Sequence, residues 1–316
     1  MINKNSKIFL AGHNGLVGSA VYTALKKRHF KNILVQSRHE LDLKDQSKVF
    51  KFLKRNKPDG VIICAAKVGG INANNLYRGE FIYDNLSIQN NIIHGSFLSG
   101  VKNLIFLGSS CIYPKFSKQP IKEEYMLTGP LEFTNEPYAI AKIAGVKLCE
   151  SYNRQYKTNY KCLMPSNIYG PNDNYNSATS HFFSAILKKM YLAKINNQKK
   201  LFFWGNGLPK RELTFVDDIA EACVFFLKKK TKETLINLGS GFELSIKDYV
   251  KKISQFMNLN ATIIFDKNHL MNGVPRKIVD CSIAKRYGWK ARHSFAEGFT
   301  ITYKDFVKNN KIYLKM

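Results

Sequence analysis

Two side chains on one short segment have the types and spacing to move a proton. Tyr138 and Lys142 stand four residues apart in Asn135-Glu-Pro-Tyr-Ala-Ile-Ala-Lys142, which puts both on one face of a helix. An ammonium beneath a phenol favours the phenolate, and a tyrosine lowered from its usual pKa of about 10 serves as acid and base near neutrality. Ser109 and Cys111 come earlier, at the end of the apolar run Ile105-Phe-Leu-Gly108. If that run is a central strand, a hydroxyl, a thiol and an activated phenol meet at its carboxyl end, where doubly wound sheets hold their ligands. Tyr-x-x-x-Lys also occurs on many helices with no chemical role, so its weight rests on the elements around it.

Those elements begin with Lys7-Ile-Phe-Leu-Ala-Gly12, an apolar strand leading into Gly12-His-Asn-Gly15-Leu-Val-Gly18 and then a helical pattern. Strand, glycine turn and helix are the context a dinucleotide fingerprint requires: the glycines allow a tight turn, and pyrophosphate rests on the helix amino terminus. The next strand, from Asn32, ends near Arg38, where an NAD enzyme would place an acid for the ribose 2′-hydroxyl. An arginine suits a 2′-phosphate and favours NADP; Glu40 or Asp42 is the alternative reader. A helix near 45–55, a buried strand over 60–66, a helix from about Phe81 to Ser99, a strand over 105–110, a helix over 137–157 and a strand from Tyr160 to Pro165 follow. Such alternation predicts an α/β fold, a doubly wound parallel sheet of Rossmann type covered on both faces.

Beyond Pro165, loops rich in Asn, Pro and Gly introduce a smaller carboxyl-terminal lobe with a helix starting near His181. Asp217-Asp218 open another helix with acids at its positive end, and Ile236-Asn-Leu reads as a strand returning to the sheet. The expected division is a dinucleotide-binding domain over 1–165 with a return near 205–240, and a mainly substrate-binding lobe over 166–316.

Composition bounds the partners. The chain has 316 residues, enough for one large α/β domain and a lobe, and 49 Lys and Arg against 23 Asp and Glu give a formal charge of +26. A nucleic-acid surface would cluster those cations among aromatics. Instead Lys26-Lys27-Arg28, Lys199-Lys200 and Lys228 to Lys230 fall at separate expected helix ends and loops, so an anionic small molecule and no specific nucleic acid is the expected partner. No apolar run is long enough to span a bilayer, and the amino-terminal segment has no apolar signal core, so a cytoplasmic enzyme without a membrane partner is expected. Cys64, Cys149, Cys162, Cys223 and Cys281 read as reduced core thiols, while Cys111 stands apart at its strand end. No metal-ligand pattern occurs.

The glycine turn, the Ser109 to Lys142 set and the second lobe together resemble the extended short-chain dehydrogenase/reductases that act on nucleotide sugars. Ala65-Ala-Lys-Val-Gly-Gly-Ile71, Phe106-Leu-Gly-Ser-Ser-Cys-Ile-Tyr-Pro114, Asn135 to Gly145, Leu148 to Tyr156, Trp204-Gly-Asn-Gly and Pro209-Lys-Arg-Glu-Leu are similar to the GDP-L-fucose synthases among them. The resemblance implies NADPH-dependent reduction of the C4 ketone of a GDP-4-keto-6-deoxy sugar, with epimerisation at C3 and C5, by a homodimer pairing its helices near 81–99 and 137–157. It implies Cys111 as base and His181 as acid, although a lone histidine near a helix start is more often a cap. It implies that Ser109 holds the C4 oxygen, Tyr138 donates the final proton, and Lys142 tunes Tyr138 and binds the nicotinamide ribose. A positive nicotinamide or Lys142 would favour the Cys111 thiolate. The implied cofactor residues are Gly12, Asn14, Gly15, Leu16, Val17, Gly18, Arg38, Leu107, Gly108, Lys142, Pro165, Asn167, Ile168 and His181; those for substrate are Lys189, Trp204, Arg211 and Asn272, with Asn167 shared.

Three positions depart from that pattern. Asn14 and Lys189 stand where arginine is usual, and Asn272 where aspartate is expected; a lysine binds phosphate as a point charge without the guanidinium fork. The alternative reading is therefore a C4 reductase alone, acting on a variant such as a GDP-4-keto-6-deoxy-heptose after a separate epimerase, in surface polysaccharide biosynthesis. A non-catalytic dinucleotide-binding protein would not need Ser109, Tyr138 and Lys142 together.

Overall fold

The structure, a computed structural model, describes residues 2–266 and 274–315; Asn272 lies outside them. Five short runs alternate with helices through the first half: β1 (Lys7–Ala11), β2 (Asn32–Leu34), β3 (Gly60–Ile63), β4 (Asn103–Leu107) and β5 (Asn159–Pro165). All but the edge strand β2 are almost wholly buried, the pattern of strands covered on both faces. Between them run α1 (Leu16–Lys27), α2 (Gln46–Asn56), α3 (Ile71–Leu76), α4 (Arg78–Leu98) and α5 (Glu136–Tyr156).

The second half supplies β6 (Asn167–Tyr169), α6 (Phe182–Ile195), β7 (Lys200–Trp204), β8 (Lys210–Phe215), α7 (Val216–Lys228) and β9 (Leu235–Leu238). It ends with β10 (Glu243–Ser245), α8 (Ile246–Phe256), β11 (Thr262–Asp266), β12 (Arg276–Lys277), α9 (Ser282–Arg286) and α10 (Phe295–Lys308). The main sheet has the order β2-β1-β3-β4-β5-β9, every pair parallel. Strand order reverses between β1 and β3, so the crevice for a ligand opens beyond their carboxyl ends.

Period-two alternation sends Phe9, Val61, Phe106 and Cys162 to the face covered by α2, α4 and α5. Ile8, Ile62, Ile105 and Leu163 meet the opposite layer of α1 and α7. A third, aromatic core lies around Tyr169, Phe183, Phe215 and Phe299 in the lobe. There β8 is central, parallel to β6 and β12 and antiparallel to β10, while β7 pairs with β11. The segment expected to return near 205–240 is divided: β8 stays with the lobe, and only α7 and β9 rejoin the main sheet.

The basic runs Lys26-Lys27 and Lys228 close α1 and α7, where the helix dipole favours cations. Cys149, Cys162, Cys223 and Cys281 are buried as expected, but Cys64 is only partly so, because it stands just past the end of β3 at the mouth of the crevice. No described helix is long and apolar enough to cross a membrane.

Candidate active site

Glycines make the crevice possible. Gly12 leaves β1 with φ +87, and a Cβ there would lie 2.6 Å from the Ala65 backbone nitrogen across the switch point. A Cβ on Gly18 would come within 1.9 Å of the Gly12 carbonyl oxygen, so only glycine lets α1 start this close to the turn. Gly15 occupies the N-cap with no side-chain cap, leaving the first N–H groups of α1, from Leu16 and Val17 on, to an anion. This cradle fits a dinucleotide pyrophosphate. Past β2, the Ser37 amide donates to Glu40 Oε2 at 2.7 Å while Arg38 is exposed, so the acidic alternative is engaged with its own loop.

The floor is built on β4 and α5. A Cβ on Gly145 would sit 2.6 Å from the Phe106 ring, and one on Gly108 2.1 Å from the Met164 methyl; the two glycines let α5 and β5 close on the strand end. That approach brings Lys142 Nζ to the Leu107 carbonyl at 2.9 Å, 5.7 Å from the centre of the Tyr138 ring. The Tyr138 phenol stands beside Ser109, whose Oγ accepts the Cys111 amide at 3.3 Å in a short 3₁₀ turn over Ser110–Ile112.

One expectation is overturned here. Burial pushes the Tyr138 phenol up, with the neighbouring Cys111 adding to the rise and Ser109 opposing it. Lys142 is turned to a backbone carbonyl, and burial brings its own pKa down to about 8. Nor is Lys142 the cation beside Cys111. That place belongs to Lys277, whose Nζ lies 3.5 Å from the thiol sulfur, with Asn135 Nδ2 at 3.4 Å on another side.

Lys277 arrives on β12, in register with Arg211 of β8. Burial draws the Arg211 guanidinium down to about 10, with Cys111 opposing the fall. His181 forms the N-cap of α6 at the solvent-reached mouth of the cleft, and dense walls followed by the nearby Lys277 ammonium lower its imidazole below the usual value. Its loop is seated on Gly70, whose amide donates to the Thr179 carbonyl at 2.9 Å; a Cβ there would be 2.5 Å from the Ser180 oxygen.

The outer part of the cleft is less closed. Lys189 Nζ donates to the Phe202 carbonyl and lies 5.1 Å over the Phe203 ring, while Trp204 at the end of β7 is 65% exposed. Arg211 Nη1 donates to the Lys210 carbonyl at 2.8 Å. Pro165 ends β5, and Asn167 and Ile168 open β6 beside Leu213 and Thr214. Sequence reasoning missed Asn135 and Lys277. Asn135 stood in the motif that carried Tyr138, one turn ahead of it; Lys277 had no local signal, since its partner is far away in the chain.

A parallel sheet with a glycine cradle at its switch point, and a serine, tyrosine and lysine beyond the neighbouring strand, defines the short-chain dehydrogenase/reductase class. Residues 8–239 match the model of the NAD dependent epimerase/dehydratase family, and the chain belongs to that family. It is 45% identical over 309 residues to a putative GDP-L-fucose synthase 2 of Arabidopsis thaliana, covering 98% of this chain and 94% of that one. With the GDP-L-fucose synthase of Escherichia coli it shares 42% identity over 312 residues, 96% of this chain and 97% of that one. Among solved structures, a GDP-mannoheptose C4 reductase from Campylobacter jejuni with NADP bound superposes with a TM-score of 0.89 at 36% identity, covering 97% and 100% of the two chains.

Proposed function

We propose that this chain is a GDP-L-fucose synthase-type enzyme, an NADPH-dependent epimerase and C4 reductase of GDP-4-keto-6-deoxy-mannose. The observation that carries the reading is the Cys111 thiol, beside a lysine ammonium and within the setting of Ser109 and Tyr138. Similarity over nearly the whole chain, at 45% and 42% identity, to a putative GDP-L-fucose synthase 2 and to a GDP-L-fucose synthase supports it.

The C4 ketone acidifies the hydrogens on C3 and C5. Cys111, as thiolate opposite the Lys277 ammonium, takes one of these protons, and the electron pair left on carbon spreads onto the C4 oxygen held by Ser109. His181, reached from solvent at the mouth of the cleft, returns a proton from the other face. When bound, NADPH supplies a hydride to C4. Tyr138 gives its hydroxyl proton to the C4 oxygen, and Ser109 keeps that oxygen within reach. Lys142, held at the Leu107 carbonyl at the strand end, binds the ribose.

The cradle of Gly12, Asn14, Gly15, Leu16, Val17 and Gly18 takes the pyrophosphate, and Arg38 the 2′-phosphate. Leu107, Gly108, Pro165, Asn167, Ile168 and His181 line the nicotinamide end, while Lys189, Trp204 and Arg211 take the GDP-sugar. Residues 1–165 with a return through α7 and β9 then bind cofactor, and the remainder binds substrate. A cytoplasmic homodimer pairing α4 and α5, serving surface polysaccharide synthesis, completes the reading.

A second reading, C4 reduction of a GDP-4-keto-6-deoxy-heptose without epimerisation, is favoured by Lys189, which is tied to the Phe202 carbonyl and has no fork for phosphate. NADPH oxidation with GDP-4-keto-6-deoxy-mannose in deuterated buffer separates the two. GDP-fucose labelled at C3 and C5 is expected; unlabelled product, or no oxidation, overturns the first reading.

A further inference from the structure

We propose that Glu212 is a positioning residue that holds Lys277 against Cys111. The proposal rests on the reading of Cys111 as the base.

Glu212 follows Arg211 on β8 and is fully buried, 0% exposed. Its two carboxylate oxygens serve different segments: Oε1 accepts the Gly241 amide at 2.6 Å and Oε2 the Val279 amide at 3.0 Å. A Cβ on Gly239 would lie 2.3 Å from Oε1, so the turn after β9 is wrapped directly on the carboxylate. Among the described residues no lysine or arginine pairs with it, and burial raises it to about 7. A buried carboxylate without a counter-cation is an expensive way to stabilise a fold. What it offers that an amide does not is two acceptors, one for each of two N–H groups arriving from different directions.

The segment it grips needs gripping. β12 is only two residues long, Arg276 and Lys277, and its short ladder with β8 is extended by the Lys210 amide on the Pro275 carbonyl at 2.9 Å and by the Arg276–Glu243 ion pair, all on the amino-terminal side of Lys277 or at its neighbour. Beyond Lys277, three hydrogen bonds flank it on the carboxyl side. Ile278 donates its amide to Gln119 Oε1 at 3.0 Å, and its carbonyl accepts the Ile121 amide at 2.8 Å, on the loop that follows Cys111. Val279 is held on the other side by Glu212. Lys277 therefore enters the cleft from a strand clamped one and two residues beyond it. An ammonium held 3.5 Å from a thiol sulfur loses much of its effect if the strand slides by a fraction of a residue.

The test uses Glu212→Gln, which turns one acceptor into a donor aimed at an amide N–H, beside Lys277→Met and the double variant. Three quantities are read in the full-length protein: iodoacetamide alkylation of Cys111 at pH 7, followed by mass spectrometry of its peptide; deuterium wash-in to GDP-4-keto-6-deoxy-mannose with NADP⁺ present; and oxidation of GDP-L-fucose by NADP⁺, which begins at the hydride step. Both single variants are expected to slow alkylation about fivefold or more and wash-in about tenfold or more, and Glu212→Gln is expected to keep GDP-fucose oxidation within about threefold. The double variant is expected to lose no more than the worse single one.

Unchanged alkylation in Glu212→Gln overturns the proposal, as does an equal fall in all three quantities with a lowered melting temperature. If the glutamine variant does not fold, Glu212→Asp, which keeps the charge but shortens the reach, decides on the same criteria. Wild type that shows no wash-in defeats the epimerase reading, while alkylation still decides the role of Glu212.

Discussion

The floor of the site and its thiol wall are made differently. Ser109, Tyr138 and Lys142 sit on one strand end and one helix, joined by contacts within the first half of the chain and closed by Gly108 and Gly145. The wall of Cys111, Lys277 and His181 gathers three segments, two of them from beyond residue 165, and depends on clamps such as Gly70 under the His181 loop. On the proposed reading, regular secondary structure carries the hydride chemistry, and long-range assembly carries the proton chemistry at C3 and C5. The two halves of the reaction should be separable by mutation.

The largest separation is expected from Tyr138→Phe. NADPH oxidation should fall ~10³-fold or more for want of the proton donor, while deuterium wash-in stays within about tenfold of wild type. Wash-in that falls as far as oxidation would merge floor and wall into one unit. Cys111→Ser is the reverse case: wash-in should drop by ~10² or more, and GDP-L-fucose oxidation by NADP⁺ should persist, as stopped assays analysed by NMR would show.

A smaller effect sharpens the origin of the floor. Gly145→Ala drives a methyl into the Phe106 ring, for an expected loss of about 1–3 kcal/mol in denaturant unfolding. Because α5 is the element displaced, oxidation of GDP-fucose should suffer more than wash-in; equal losses would show that α5 does not place the floor alone.

The smallest effect lies beneath the floor, on β5. Lys161 is 1% exposed, and burial lowers its pKa to about 7 from the usual 10.5. The folded state then binds fewer protons than the unfolded one between those values, so this residue's contribution makes stability rise with pH from about 7 to about 10.5. Lys161→Met should add about 1–3 kcal/mol at pH 6 and progressively less towards pH 10 in urea titrations. A gain independent of pH would mean that the ammonium is well solvated by the Asn159 oxygens it touches.

The difference between floor and wall also explains what the sequence discloses. Tyr138 and Lys142 announce themselves by helical spacing, and Gly12, Gly15 and Gly18 by their place between a strand and a helix, because each signal is local. The parallel sheet is legible for the same reason: β1, β3, β4 and β5 are apolar runs separated by helices. The direction of the Tyr138 shift was not legible, since spacing gives proximity to Lys142 but not the Leu107 carbonyl that takes the ammonium. Lys277 was invisible because nothing near it in the chain resembles its environment; only the pairing of β12 with β8 brings it to Cys111.

The position of β12 near the end of the chain has a consequence for biosynthesis. A ribosome releases β1 to β5 in unbroken succession, and with them every residue of the floor, long before Lys277 emerges. Until then Cys111 waits without its ammonium, so a nascent or truncated chain lacks the Lys277 contact altogether and gains it only when translation is nearly complete.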